Sequence, residues 1–505
     1  MPISGAFCVT MDKERCISWK MPWKCSTCVE VCPNSVFAVD EVGRAYVMND
    51  LACVGCRICI EYCPNNVIHI RPAEPETFTK GLWTFQTVDE IHYKAQTGKY
   101  ILRGYGAMRS LPHFDDLVVV PAQLYPPEPK DKYREECNVE VVIGEGRVDK
   151  PLKLKIPIIF AAMSYGAISR EAKIALAIAT ARLGTAVCTG EGGSFPEEYY
   201  LAHGFKNEEE FKSGRKTYEP GGYLIVQWAS GRWGVSIDYL ERSDAVEIKI
   251  GQGAKPGMGG HLLGEKVTEE IAKIRGIPVG TDCLSPARHY DIQDVEKDLK
   301  KQIDLLRNIT NYEKPIIVKL GPGRVYKDVE IAAKAGADAI AIDGSQGGTG
   351  TSPEISIQHA GIPTIGCIPP AVKALEDVGL RGEVKLIVMG GIRNGADVVK
   401  AIALGADCVA IASAALIAMG CRVCTQCLKG KCPYGITSQD PELRRRLQPE
   451  KAADRLVNFL KAMTEEVKML TMLSGHNDIR ELSKEDLRAL NINVATITGV
   501  KLIGY

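Results

Sequence analysis

Thiols at fixed spacings open the chain. Within residues 1–65 lie Cys16, then Cys25, Cys28 and Cys32 before Pro33, then Cys53, Cys56, Cys59 and Cys63 before Pro64. The last run reads Cys-x2-Cys-x2-Cys-x3-Cys-Pro, the arrangement that holds cubane iron–sulfur clusters in pairs, with the fourth cysteine serving the other cluster. One tight turn presents three thiolates to one cube, and the proline ends the turn. The expected sets are Cys53, Cys56, Cys59 with Cys32 for one [4Fe–4S] cluster, and Cys16, Cys25, Cys28 with Cys63 for the other. The first run departs from this pattern: eight residues separate Cys16 from Cys25 where two are usual. They include Trp19, Pro22 and Trp23, suited to shielding a cluster. Zinc and a disulfide framework compete with this reading, but zinc favours closed sets built from separated pairs. Disulfides need an oxidising compartment, and MPISGAF has neither the basic region nor the apolar core of a secretory signal.

A third thiol motif, Cys421-x2-Cys424-x2-Cys427-x4-Cys432-Pro433, lies far downstream, as a cluster or zinc site. It follows two glycine-rich or small-residue loops, Gly390-Gly-Ile-Arg-Asn-Gly395 and Ala412-Ser-Ala-Ala415. Backbone amides at such helix starts, with Arg393, suit a phosphate dianion. Further loops, Met163-Ser-Tyr-Gly166, Thr189-Gly-Glu-Gly-Gly193, Lys249 to Gly257, Ser285 to Asp291 and Asp343 to Gly350, interleave glycine with Lys, Arg, Gln and Glu. Each alone is a tight turn. Together they admit a planar ring and a small anion close to backbone.

Positioning these loops needs a scaffold of about 270 residues, the size of a (β/α)8 barrel. Nine short apolar runs are strand candidates: 156–162, 186–189, 223–228, 245–250, 277–281, 316–320, 339–343, 385–389 and 408–412. That is one too many, and 223–228, after the polar stretch 195–222, is the weakest. Helical patterns at 170–183, 295–309, 328–335 and 396–404 predict a parallel sheet buried on both faces. A doubly wound sheet is the alternative, but no Gly-x-Gly-x-x-Gly follows the first strand. The expected order is an iron–sulfur unit at 1–75, ended by a linker rich in Pro and Glu at 72–76. A connector follows at 76–150, with a Pro-rich stretch at 125–130 and a β-like segment at 139–144. The barrel spans 151–435 and a helical tail 436–505, with helical stripes at 443–447 and 452–473 and a capped helix at 483–490. Lys+Arg and Asp+Glu are both 62 in 505 residues, which points away from nucleic acid and anionic membranes. The longest charge-free apolar stretch, 408–421, suits a buried strand and turn rather than a membrane span. The remaining six of 18 cysteines read as small core residues, and the thiolate sites imply a reducing cytosol.

The residues GAKPGMGG, SPARHYDI, DGSQGGTGTSP, ALIAMGC and CPYGITSQDPELRRRL resemble the synthase domain of glutamate synthase, and the fused ferredoxin-like front resembles the archaeal type. The resemblance implies FMN on the barrel, near Met163, Ser164, Gln227, Gly348, Gly390, Gly391, Arg393 and Ser413. It places 2-oxoglutarate against Glu191, Gln252, Lys255, Lys319 and Arg288. Ammonia and 2-oxoglutarate give 2-iminoglutarate, which takes a hydride from reduced flavin; Glu191, Lys255 or Lys319 relays the proton. The family's barrel cluster is [3Fe–4S], whereas Cys424 offers a fourth ligand here, so [3Fe–4S] and [4Fe–4S] both stay open. With neither an amidotransferase cysteine nor a dinucleotide fingerprint, ammonia is expected from solution or a separate glutaminase, and electrons from ferredoxin or an NAD(P)H-oxidising flavoprotein subunit. An oligomer is expected. An N-methylglutamate-forming enzyme and a flavin-bearing electron-transfer subunit are the rival functions.

Overall fold

The computed structural model describes residues 7–73, 84–125 and 128–504. Eight strands form a closed barrel: β1 (Ile158–Phe160), β2 (Ala186–Cys188), β3 (Tyr223–Trp228), β4 (Ala245–Lys249), β5 (Ile316–Leu320), β6 (Ala339–Asp343), β7 (Lys385–Met389) and β8 (Cys408–Ile411). All neighbours are parallel, and β8 returns to β1 through Val409–Ile158 and Ile411–Phe160. Burial on both faces explains why these strands read as unbroken apolar runs rather than alternating ones.

The helices between them include α1 (Arg170–Leu183), α2 (Val295–Ile309), α3 (Val325–Lys334), α4 (Thr364–Asp377) and α5 (Gly395–Ala403). Ser169, Asp294 and Asn394 cap α1, α2 and α5 by accepting a backbone N–H with their side chains, which satisfies amides a helix start leaves unpaired.

The surplus strand candidate is 277–281, not 223–228. Pro278 supplies no N–H, Gly280 sits at φ +73°, and the segment is a turn. Leu224, Ile225 and Val226 are buried, so the polar stretch before them is an excursion that ends where β3 begins. Two other expectations change. The stretch after β8 is a helix, Ser413–Ala418, rather than a turn. Ser483 does form a capping box, but on a single 3-10 turn (Lys484–Asp486). The following Leu487–Ala489 is a strand paired antiparallel with Leu117–Val119 of the connector, because pairing there buries Leu117 and Leu487 completely. The tail's main element, α6 (Pro449–Leu473), packs on α1 and α5.

A hairpin, Val141–Ile143 with Leu152–Leu154, lies at the amino-terminal end of the barrel. It is tied down by fully buried Asp338, which accepts from Arg147 Nε at 3.0 Å, Arg307 Nη2 at 2.9 Å and the Ile316 amide at 2.8 Å.

The iron–sulfur unit pairs Phe7–Met11 with Ile68–Pro72 and Phe37–Val39 with Ala45–Val47. Two short helices, Thr27–Val31 and Ile58–Tyr62, carry Cys28 and Cys59. The linker beyond position 73 lies outside the described residues, as do Pro126 and Pro127 of the Pro-rich stretch. Among the described residues no helix is long and apolar enough to cross a membrane.

Removing the Asp338 carboxylate strands two guanidinium groups at a buried junction. We expect Asp338→Ala to lower unfolding free energy by about 3–5 kcal/mol, read as a shift of the denaturant midpoint.

Candidate active site

Parallel closure brings every strand's carboxyl end to one rim, and two adjoining cavities of about 160 and 710 Å³ lie there. Tyr105, Gln252, Lys319, Gly348 and Ser413 line both. Met163, Ser164, Glu191, Gln227 and Lys255 line the first; Gly390, Gly391 and Arg393 line the second. Arg288 is the exception among the expected site residues. It is exposed, with its guanidinium over the Tyr290 ring, and lies outside both linings.

Close backbone approach builds the rim. Gly190, at φ +73°, has no room for a Cβ, which would lie 2.5 Å from the Ser164 nitrogen. A Cβ on Gly348 would lie 2.5 Å from Ser413 Oγ. These two contacts knit the loops after β1 and β2, and those after β6 and β8.

The first cavity is dense in charge. Glu191 pairs with Lys249 Nζ at 2.9 Å and hydrogen-bonds to Ser285 Oγ. Burial opposes its ionisation, yet Lys249, Ser285 and Arg275 together hold it below the usual carboxylate range. Lys255 is buried and donates to the Thr351 carbonyl at 2.9 Å. Burial first, then repulsion from Lys249, pushes its ammonium down to about 7. Lys319 is also buried, but Asp343, 3.4 Å away, and Glu247 outweigh desolvation and raise its pKa. Gln227 Nε2 donates to Glu247 Oε1 at 2.7 Å. Arg393 is committed elsewhere: its guanidinium forks onto Asp115 at 2.6 and 2.9 Å, with Nε 3.0 Å from Asp397.

Sequence reasoning missed several residues. SPARHYDI serves the site through Ser285 and His289 rather than Arg288: His289 Nε2 lies 2.7 Å from the Lys249 carbonyl oxygen. Lys249 was legible as the residue that opens the Lys249–Gly257 loop at the carboxyl end of a strand candidate, where barrel enzymes keep chemistry. Tyr105 had no signal. It belongs to the connector, reaches the rim because its amide donates to the Thr349 carbonyl, and holds φ +82°. Its buried hydroxyl lies between Ser413 and Cys421.

Cys421, Cys424, Cys427 and Cys432 wall the first cavity. In the amino-terminal unit, Cys16, Cys25, Cys28 and Cys63 line one small cavity, and Cys32, Cys53, Cys56 and Cys59 neighbour one another. Among the described residues no three cysteine sulfurs lie within 4.8 Å of one another. A single tetrahedral zinc, with Zn–S about 2.3 Å, brings them to about 3.8 Å. These thiols are not drawn together around a single ion.

Fold and rim together define a redox barrel, a cofactor-sized cavity at the strand ends with a thiol site in its wall. Residues 116–477 match the conserved region in glutamate synthase, and residues 23–68 a 4Fe–4S dicluster domain. A glutamate synthase large subunit-like protein of Rhizobium meliloti is 43% identical over 436 residues, 83% of this chain and 93% of that protein. An archaeal-type glutamate synthase (NADPH) of Thermotoga maritima is 41% identical over 511 residues, 96% and 95% of the two chains. The glutamate synthase (NADPH) large chain of Bacillus subtilis is 38% identical over 352 residues, 66% of this chain but 22% of that one. The chain belongs to the glutamate synthase family, oxidoreductases acting on CH–NH2 groups, with iron–sulfur clusters as cofactors; FMN is the group that the sequence resemblance implies for the rim.

The residues fit those groups. The larger cavity falls in the size range of cofactor sites, about 300–1,000 Å³. The buried hydroxyls of Tyr105 and Thr437 line the first cavity beside Cys421 and Cys427, placed to donate to cluster thiolates. Gly190→Ala is expected to part the first two rim loops and lower the flavin-to-iron ratio of purified protein, measured by absorbance and iron analysis.

Proposed function

We propose that the rim reduces 2-iminoglutarate, formed from 2-oxoglutarate and ammonia, to L-glutamate. The observation that carries this reading is the pair of buried lysines, Lys255 and Lys319, converging on one cavity. A dicarboxylate needs two cations, and charge-assisted hydrogen bonds in a desolvated site are the strong ones. Lys255, with its ammonium pushed down to about 7, both pairs with a carboxylate and can pass a proton near neutrality. Glu191, kept ionised by Lys249 and Ser285, orients the substrate end of the cavity. Gln252 adds donors from the same wall. Reduced FMN supplies the electron pair for the imine. Met163, Ser164, Gln227 and Ser413 would hold its ring side, and Gly348, Gly390 and Gly391 its phosphate side through backbone. Arg393 is better suited to bracing that loop, since Asp115 and Asp397 occupy it.

The sets Cys16/Cys25/Cys28/Cys63 and Cys32/Cys53/Cys56/Cys59 would each hold a [4Fe–4S] cluster, and Cys421, Cys424, Cys427 and Cys432 a third. The burial of Cys424 alongside Cys432 favours a fourth ligand and thus [4Fe–4S] there. The relatives' names mention NADPH, but this sequence has no dinucleotide fingerprint. We infer that reducing equivalents arrive through a ferredoxin or an NADPH-oxidising flavoprotein, and ammonia from solution or a separate glutaminase, in the reducing cytoplasm.

The direct assay supplies anaerobic protein with reduced viologen, 2-oxoglutarate and either ammonium or glutamine. Glutamate is the expected product. N-methylglutamate from methylamine, with none from either nitrogen source, overturns the reading. Lys255→Met should lower kcat/KM for 2-oxoglutarate about 100-fold while flavin content stays. Because the Lys255 cation is present below its pKa and lost above it, 2-oxoglutarate binding should weaken as pH rises through about 7. Titration calorimetry across that range checks this, and Lys255→Met should flatten the profile.

A further inference from the structure

We propose that the exposed loop at residues 20–24 is the face on which an acidic electron-carrier protein docks to reduce this chain. The proposal rests on the reading above that the outer cysteine set holds a cluster.

The two amino-terminal sets are not equivalent. Cys424 of the barrel lies close enough to Cys56 of the inner set for their charges to interact. The Tyr434 hydroxyl donates to the Cys56 carbonyl at 2.9 Å, and Arg422 pairs with Glu61 at 2.7 Å. The set containing Cys56 therefore abuts the barrel. The other is the outer one, and electrons from a partner must arrive there first.

The long spacer between Cys16 and Cys25 springs from that outer site, since Ile17 and Ser18 line its cavity with the four thiols. The spacer is braced. Trp19 Nε1 donates to the Ala45 carbonyl at 2.8 Å, and Lys13 and Arg44 lie over its ring at 4.5 and 5.2 Å. Trp23, at φ +64°, donates its amide to the Gly43 carbonyl at 3.0 Å, and its ring lies where a Cβ on Gly43 would be, 2.4 Å away. Bracing of this kind buries Trp19 in part but leaves Trp23 71% and Met21 54% exposed. A fixed, exposed Trp beside a Met is costly to leave in water and is the composition of interface centres.

Charge selects the partner. Lys20 and Lys24 are exposed on either side of Met21 and Trp23, and Lys13 and Arg15 are exposed just before Cys16. Over residues 13–24 the only acid is Glu14. Asp12 and Asp40 nearby spend oxygens on backbone amides of Arg15, Val42 and Arg44; Glu41, in the turn beneath Trp23, is exposed, so four cations face Glu14 and Glu41. An aromatic centre with a basic surround fits an acidic protein and steers it at low salt. Each encounter passes one electron, oxidising the carrier and reducing the outer cluster by one, so two encounters supply one glutamate.

The test uses the full holoenzyme with a reduced acidic 2[4Fe–4S] ferredoxin or reduced methyl viologen as donor. Lys20→Glu combined with Lys24→Glu, and separately Trp23→Ala, should raise the KM for ferredoxin at least tenfold. The Lys variant should also flatten the fall of rate with salt, and viologen-driven turnover should stay unchanged. Wild-type ferredoxin KM and salt dependence in both variants would overturn the docking face. Failure of the cluster reading is separate: it appears in unaltered protein, as one amino-terminal cluster rather than two by electron paramagnetic resonance. Should Trp23→Ala lose iron, Lys20→Glu alone, an exchange at an exposed position, decides the docking question.

Discussion

In a closed parallel barrel each strand pairs on both sides, so no edge remains and no strand can turn to face the other way. Eight carboxyl ends must then share one rim. Residues far apart in sequence meet because of that constraint: Met163 after β1, Glu191 after β2, Gln227 in β3, Lys319 in β5 and Ser413 after β8 all line one cavity. Loop glycines make the meeting close. Where Gly190 passes Ser164, a side chain on the glycine would hold the loops apart.

Burying charge at that rim costs desolvation, and the fold offsets it with fixed partners. Glu191 lies between Lys249 and Ser285, and Lys319 near Asp343 and Glu247. Lys255 differs: among the described residues its hydrogen bond goes to a carbonyl rather than a carboxylate, so its ammonium is the least stable of the three in place. A cation that protein groups compensate poorly is one that gains most from an incoming carboxylate. Stability is held elsewhere, at the opposite end of the barrel, where Asp338 gathers two arginines and a strand amide under the hairpin.

The connector joins the two redox units and completes the site. Its strand Leu102–Arg103 pairs with Ser352–Pro353 of the loop after β6, which carries Tyr105 to the wall between Ser413 and Cys421. Farther on, His113 lies 2.9 Å from the Gly391 carbonyl oxygen and Asp115 grips Arg393. A segment that reads as a tether thus braces the loops after β6 and β7.

By itself the sequence determined what short-range rules control. Thiol spacing grouped twelve cysteines into candidate cluster sets, unbroken apolar runs with helical patterns between them predicted a barrel, and glycine-rich runs at strand ends pointed to the rim. Helices α1 and α2 fall where their periodicity put them, because Ser169 and Asp294 cap them locally. Only the tertiary structure decided which of nine strand candidates to omit, since Pro278 and Gly280 weigh against the apolar residues around them while β3 is rescued by neighbours on both sides. It alone turned Arg288 outward and Ser285 inward within one motif, bound Arg393 to an acid 278 residues away, and brought in Tyr105. Those outcomes depend on contacts between distant segments, and no pattern confined to a few neighbouring residues encodes where a closed sheet will bring them.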